Sequence, residues 1–370
     1  MQPSIINASR SLAHITSQDL DHMNRSSADV EIKLLSEDNV MWDTYVHESP
    51  GASLYHLLGW KRIIERTFGH TTYYLYAVQN NHLAGILPLV CMKSILFGKF
   101  LISLPFFNYG GIVTDSEKTR KCLLAKAIDI AYSERAEYIE LKHMEDYDIG
   151  LLTKTSKVIM LLDLPPTADD LWKSFPSKLR SQIRRPEKEG FTVKFGQLDE
   201  VYSFYEVFAV NMRDLGTPVE PIKLFENILN ELPDRARICT IYDKSRAVAA
   251  GFIIGFKDTM QIPWASSLRK YNNFSPNMML YWNILKFACD KGYKQFDFGR
   301  STPLEGTYRF KQQWGAKPVQ CFWQYWLPHD SDMPQINPQN PKYQLAIKAW
   351  QRLPLPLSKW LGPKIVKFIP

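Results

Sequence analysis

A chain of 370 residues, 45% apolar and 13% aromatic, has the material for more than one hydrophobic core, so two ordered domains are expected. The five cysteines (Cys91, Cys122, Cys239, Cys289, Cys321) are far apart and never form a CxxC pair, which argues against a disulfide framework or a zinc site and suits a reducing cytoplasm. The net charge of +7 is unevenly spread: Leu171 to Gly190 carries six Lys or Arg against two Glu, and 341–370 carries six and no acid.

Residues 1–30 are polar with scattered apolar positions and no apolar h-region, which predicts a flexible leader and not a signal peptide. From residue 31 a strand and a helix are expected in "EIKLLSEDNVMWDTYVHES", then a helix ending at Gly69 and two strands joined at Asn80-Asn81. The apolar stretch 83–111 is interrupted by Lys93, Lys99, Gly and Pro into runs too short to cross a bilayer, and buried strands are expected there. A helix and strand follow in "EKTRKCLLAKAIDIAYSERAEYIEL". "HMEDYD" (His143 to Asp148) has no second His or Cys at a ligand spacing and reads as a solvated loop, so no metal is expected. "KVIMLLDLP" is expected to close the first unit, with Pro165-Pro166 as the boundary.

The second unit repeats this grammar. Thr167 is a candidate N-cap with Asp169 and Asp170 in the first turn, and "SKLRSQIRRPEKEG" reads as a basic helix that Pro186 stops or kinks. "FTVKFG" is a strand, and Val201, Phe204, Tyr205, Phe208, Met212 and Leu215 recur at helical spacing up to Gly216. Three strand-like runs, "RARICTIYD", "AVAAGFIIGF" and "TMQIPWASSL", lead into a helix with Ser275 as cap, Pro276 at its first position and Gly292 after its end. The strand "YKQFDFG" then enters the densest stretch of charge and aromatic rings in the chain, Phe296 to Gly315, read here as strand, glycine-bearing loop and strand. No GxSxG elbow, HExxH helix or Walker loop is present, so hydrolase, zinc-protease and NTPase readings lack their minimum parts.

Strand, two helices, three antiparallel strands, helix, strand is the order of a GNAT acyltransferase unit, here in tandem. With "KLRSQIRR" (Lys178 to Arg185), "RDLGTP" (Arg213 to Pro218), "SPNMMLYW" (Ser275 to Trp282) and the GxYRFKxxWG motif within Phe296 to Gly315, the chain resembles the FemAB-like (FemXAB) aminoacyltransferases over roughly residues 31–365, most closely the branch encoded with bacterial exosortase and exopolysaccharide systems. The resemblance implies an α/β (α+β) fold of tandem GNAT-like domains, each a mixed, mostly antiparallel sheet flanked by helices: 31–165, then 166–317 carrying the main motif, with 318–370 packing back on the first domain.

The activity it implies is transfer of an aminoacyl or acyl group to an amine of a peptidoglycan, other cell-envelope or exopolysaccharide precursor, a small, nucleotide-linked or lipid-linked sugar. The donor is aminoacyl-tRNA or, alternatively, acyl-CoA, with no permanently bound cofactor. A CoA-dependent N-acyltransferase acting on an amino sugar, and a non-catalytic membrane-associated or RNA-binding component of the polysaccharide machinery, stand as alternatives. In ordinary GNAT enzymes the turn Q/RxxGxG/A holds the coenzyme A pyrophosphate; here "RKYNNF" (Arg269 to Phe274) puts Asn272 and Phe274 at the small positions, which weakens the CoA reading.

The resemblance makes Lys311 the main catalytic candidate, stabilising charge in the transition state or holding a substrate carboxylate or phosphate. Arg309, two residues earlier, would share its face on an extended strand. Asp297 is either a proton acceptor or a structural carboxylate capping amides near Arg300 and Ser301. Arg300, Tyr308 and Trp264 are candidates for lining a substrate cleft, with core packing as the alternative for the aromatics. Arg180 and Arg184, with Lys188 at i, i+4, i+8, form a face suited to phosphates of tRNA, nucleotide sugar or lipid, and Arg213 resembles a Fem-like diphosphate-binding position. The basic tail 341–370, interleaved with Leu, Ile, Trp and Phe, would either pack on the first domain or meet the inner face of the cytoplasmic membrane peripherally.

Overall fold

A computed structural model describes residues 30–36, 40–94, 98–328 and 341–369; the predicted leader, apart from Val30, lies outside them. The chain forms two units that divide at Val158. The first contains β1 (Glu31–Leu34), α1 (Val40–Glu48), α2 (Gly59–Phe68), β2 (Thr71–Gln79), β3 (His82–Ser94), β4 (Gly98–Ile102), α3 (Glu117–Glu134), β5 (Ile139–His143) and β6 (Leu152–Lys154). Asn80 and Asn81, both left-handed at φ 49 and 62, close the β2–β3 hairpin as its twist demands. Helix α3 starts where the Ser116 hydroxyl accepts the Thr119 amide, and it lays Leu123, Leu124, Ala127, Ile128 and Ala131 into the core against β2, β3 and β5.

The second unit runs β7 (Val158–Asp163), α4 (Ala168–Ser174), α5 (Ser177–Lys188), β8 (Thr192–Gly196), α6 (Val201–Leu215), α7 (Ile222–Glu231), β9 (Ala236–Asp243), β10 (Arg246–Phe256), β11 (Thr259–Ser267), α8 (Pro276–Asp290), β12 (Gln295–Ser301), α9 (Gly306–Gln312) and β13 (Lys317–Gln320). Its sheet has the order β13-β7-β12-β11-β10-β9-β8, antiparallel from β8 to β11 and parallel between β11 and β12. Phe204 of α6 and Phe225 of α7 pack over Phe252 of β10, with Phe208 against both, which fixes one face of that sheet. The chain then adds β14 (Phe322–Trp326) to the first sheet, whose order is β1-β2-β3-β4-β5-β14-β6, and ends in α10 (Pro341–Gln351) and α11 (Leu355–Val366). Both sheets are mixed and mostly antiparallel with flanking helices, the tandem GNAT-like architecture.

Five local expectations are corrected. "KVIMLLDLP" forms β7 of the second sheet, because its partners β12 and β13 lie far along the sequence. Helix α5 continues through Pro186 to Lys188, with the ring buried beside Leu179 and Ile183. Ser275 precedes α8 in a left-handed conformation, φ 59, without a side-chain cap bond. The segment after the loop is helix α9 and not a strand, since Phe310 and Trp314, one helical turn apart, both pack on Tyr281. Of the tail expected on the first domain, β14 does join the first sheet, but α10 and α11 belong to the second unit and pack on α6.

Candidate active site in the second unit

The parallel pairing of β11 and β12 covers only Thr259↔Gln295, Met260↔Phe296 and Gln261↔Asp297, although β11 continues to Ser267 and β12 to Ser301. Beyond Gln261 and Asp297 the two strands part. Across β11's other edge, Phe252 pairs with Trp264 and Ile254 with Gln261, so three residues of β10 oppose four of β11. The extra residue is a β-bulge at Ile262-Pro263, a position that tolerates a proline because its missing N–H breaks no ladder bond. The bulge bends β11 where the gap opens.

Strand alternation decides what faces the gap region. Trp264 packs edge-on to Phe225 and Phe252, at 5.1 and 5.6 Å, so it lies on the α6–α7 face. Gln261, opposite Ile254, lies on that face too, as does its parallel partner Asp297, and Ser301 is buried at the end of β12. Ser266 is buried on the same face and receives the Asn211 side-chain amide of α6 at 3.0 Å. Glu220 joins them from the loop between α6 and α7: its Oε1 accepts the Trp264 indole N–H at 3.4 Å, and its backbone carbonyl accepts the Tyr205 hydroxyl at 3.0 Å.

Three of these side chains have a buried oxygen without a hydrogen-bond partner among the described residues: Gln261 Oε1, Ser301 Oγ and Glu220 Oε2. A polar atom left so in a folded protein calls for a ligand or water, because desolvating it unmatched costs roughly 1–3 kcal/mol. Burial pushes the Glu220 carboxyl up to about 7; a backbone amide and the Trp264 indole, which favour the carboxylate, offset this only in part.

Lys311 and Asp297 meet at the end of β12. Lys311 is buried, and its ammonium donates to the carbonyls of Gly299 at 2.9 Å and Arg300 at 2.8 Å. Burial pulls its pKa down to about 8; the Asp297 carboxylate opposes that shift and the Arg300 guanidinium adds to it. Asp297, also buried, accepts the Gly299 amide at 2.6 Å, while Gly299 adopts φ 77, a conformation that favours glycine. A cation from below and an anion from within thus hold one turn of backbone.

The remaining candidates are dispersed. Because α9 is a helix, Arg309 and Lys311 point about 200° apart: Arg309 is exposed where Lys311 is buried, and the expectation of a shared face is corrected. Tyr308 is half-buried and Arg300 exposed. Arg213 forms an ion pair with the neighbouring Asp214 through two N–H groups, at 2.7 and 3.0 Å. Arg184 stacks over Trp172 at 5.0 Å, and Arg180 is half-buried on α5. In the first unit, His143 is buried with Nε2 accepting the Ile112 amide, which fixes it as a structural residue and not a loop ligand. Glu220, Gln261 and Ser301 were not singled out in the sequence; the one local signal was a lone acid between Val219 and Pro221 in an otherwise uncharged stretch.

Residues 173–312 match the Acetyltransferase (GNAT) domain family. Among solved structures, the chain is similar to FemX, at 16% identity, 85% of this chain and 100% of that chain, with a TM-score of 0.63. It is similar to L-PGS from Bacillus licheniformis at 12% identity, 85% and 97% coverage and a TM-score of 0.52. A tandem GNAT protein from the clavulanic acid biosynthesis pathway follows at 9% identity, 83% and 100% coverage and a TM-score of 0.53. No curated protein matches the sequence. At these identities the likeness shows a shared tandem GNAT fold.

Proposed function

We propose that the second unit is the catalytic half of a FemAB-type acyltransferase, moving an aminoacyl group from the ester of an aminoacyl-tRNA to an amine of a nucleotide-linked or lipid-linked sugar in cell-envelope or exopolysaccharide assembly. The observation that carries this reading is the parting of β11 from β12 together with three buried oxygens of the same unit that have no hydrogen-bond partner among the described residues. An opening between strands gives an acyl chain a path to an unpaired strand edge, and the orphaned oxygens give an acceptor its fixed contacts.

Glu220 is the proposed general base, a carboxylate with a pKa of about 7 being matched to an amine proton at neutral pH. The acceptor nitrogen attacks the ester carbonyl as Glu220 takes its proton. The tetrahedral oxyanion is stabilised by N–H groups on the unpaired edge of β11. As the C–O bond breaks, the departing hydroxyl oxygen receives the proton from Glu220. Lys311 positions this centre by fixing the end of β12 and brings a positive charge close to it.

A specific observation favours the tRNA ester over acyl-CoA. A pyrophosphate needs amides aimed outward at a helix N-terminus. In the turn Arg269–Phe274 the Tyr271 and Ser275 amides are bonded to the Leu268 and Asn272 carbonyls, and Pro276 has no amide to offer. The test is a donor assay on purified protein with amine-bearing sugar nucleotides as acceptors, each donor supplied alone. Turnover with aminoacyl-tRNA is expected. Glu220→Gln should lower kcat by about 100-fold and remove the rise in rate through pH 7. Turnover with acyl-CoA alone would replace the donor, and an unchanged pH profile in Glu220→Gln would remove Glu220 as base.

A further inference from the structure

Helix α11 is built inside out for a surface helix. Ser358, Gly362 and Val366, one small or short residue per turn, are the buried positions, whereas Leu357, Trp360 and Ile365 are 39%, 59% and 38% exposed. The inner contact is close: a Cβ on Gly362 would lie 2.8 Å from both the amide nitrogen and the carbonyl oxygen of Val219. Lys359 adds an ion pair to Glu206 of α6 at 2.8 Å. The helix is therefore anchored, and the large apolar side chains it presents outward stay part-exposed among the described residues.

The charge carried by α10 and α11 themselves is of one sign. Lys364 lies over the Trp360 ring at 3.6 Å, so cation and indole project together. Lys348 on α10 and Arg352 just after its end are exposed, as is Leu345 at 69%, while Ile347 turns inward toward Gly216. Residues 341–370 contain six Lys or Arg and no Asp or Glu.

We propose that the outer face of α11, in a C-terminal segment whose charges are all basic, docks on an anionic lipid surface. Trp360, Leu357 and Ile365 would enter the boundary between headgroups and acyl chains, and Lys364 would stay at the phosphate level, the division between an indole and a snorkelling lysine that interfacial helices use. A protein partner is the weaker reading, because the cores of protein interfaces are depleted in lysine and this face has a lysine at its centre. No helix among the described residues is long and apolar enough to cross a membrane, so the contact would be peripheral. The inference is independent of the reaction assigned to the second unit.

The experiment is co-sedimentation of the full chain with vesicles of phosphatidylcholine alone, or of phosphatidylcholine with about one third phosphatidylglycerol. The expected result is partitioning at least about tenfold stronger on the anionic vesicles, falling as salt is raised. Lys364→Gln should weaken it about fivefold and Trp360→Ser about tenfold. Both side chains are exposed, and an unchanged thermal transition verifies that the fold is intact. Equal partitioning on both vesicles, none on either, or wild-type partitioning by both variants overturns the proposal. So does light scattering that shows a dimer dissociated by Trp360→Ser without vesicle binding, which would assign the face to a second copy of the chain.

Discussion

A carboxylic acid and an ammonium are both forced toward neutrality within one domain, and in each case burial is the largest cause. Glu220 lends itself to a stability test because its pKa is raised from about 4.5 unfolded to about 7 folded. The folded state therefore binds the extra proton between those values. The stability this confers is full below pH 4.5 and is lost as pH rises through 7, a loss of about 3 kcal/mol at 1.36 kcal/mol per pKa unit. Glu220→Gln keeps the shape without the titration, so it should match the wild type in acid and exceed it in unfolding free energy by up to that amount at pH 8. Denaturant unfolding of both proteins from pH 4.5 to 8 measures the difference, and parallel curves would mean that the carboxyl is hydrated. No motif flags this residue, because what perturbs it is burial in the assembled fold, which no local stretch of sequence encodes. Lys311, by contrast, is legible through its motif, yet its bonds to Gly299 and Arg300 are not: they depend on α9 being a helix.

Elements with strong local signals are the ones the sequence reveals: the Asn80-Asn81 hairpin, the Thr167 cap and the apolar period of α6. Elements set by distant partners are hidden. In "TYRFKQQW" the aromatic residues alternate as in a strand, and only the packing of Phe310 and Trp314 on Tyr281 decides for a helix. β7 is locally indistinguishable from the last strand of the first unit. The packing of α11 makes a testable case of two opposed effects. Within a helix Gly→Ala is worth about 1 kcal/mol of stabilisation. At Gly362, however, the new methyl would meet the Val219 backbone at 2.8 Å, where no flexible side chain can yield. The clash should prevail, with Gly362→Ala lowering stability by roughly 2 kcal/mol in thermal or chemical unfolding. A gain in stability would show that α11 does not sit this tightly.

For the molecule as a whole, the order of the chain and the order of the strands disagree. β14 lies between β5 and β6, hydrogen-bonded on both sides, with Gln324 opposite Leu141 and Thr153, yet it follows the whole second sheet in sequence. Its side chains complete the first unit: Gln324 is buried with its amide on the Tyr147 carbonyl at 2.6 Å, and Trp326 is buried against Tyr132 at 5.2 Å. The first sheet therefore cannot close until the second domain has been synthesised, a non-local pairing that carries the loop-closure entropy of the intervening residues. A proline at Gln324 tests this in the full chain, since a central strand has no place for a residue without an amide. Hydrogen exchange in Gln324→Pro should show β5 and β6 losing protection while β9 and β10 keep theirs. Such a split would also show that the second sheet keeps its structure despite a fault in the first. If protection fell in both sheets together, the two units would share one cooperative transition, and β14 would be a fastening for the entire fold.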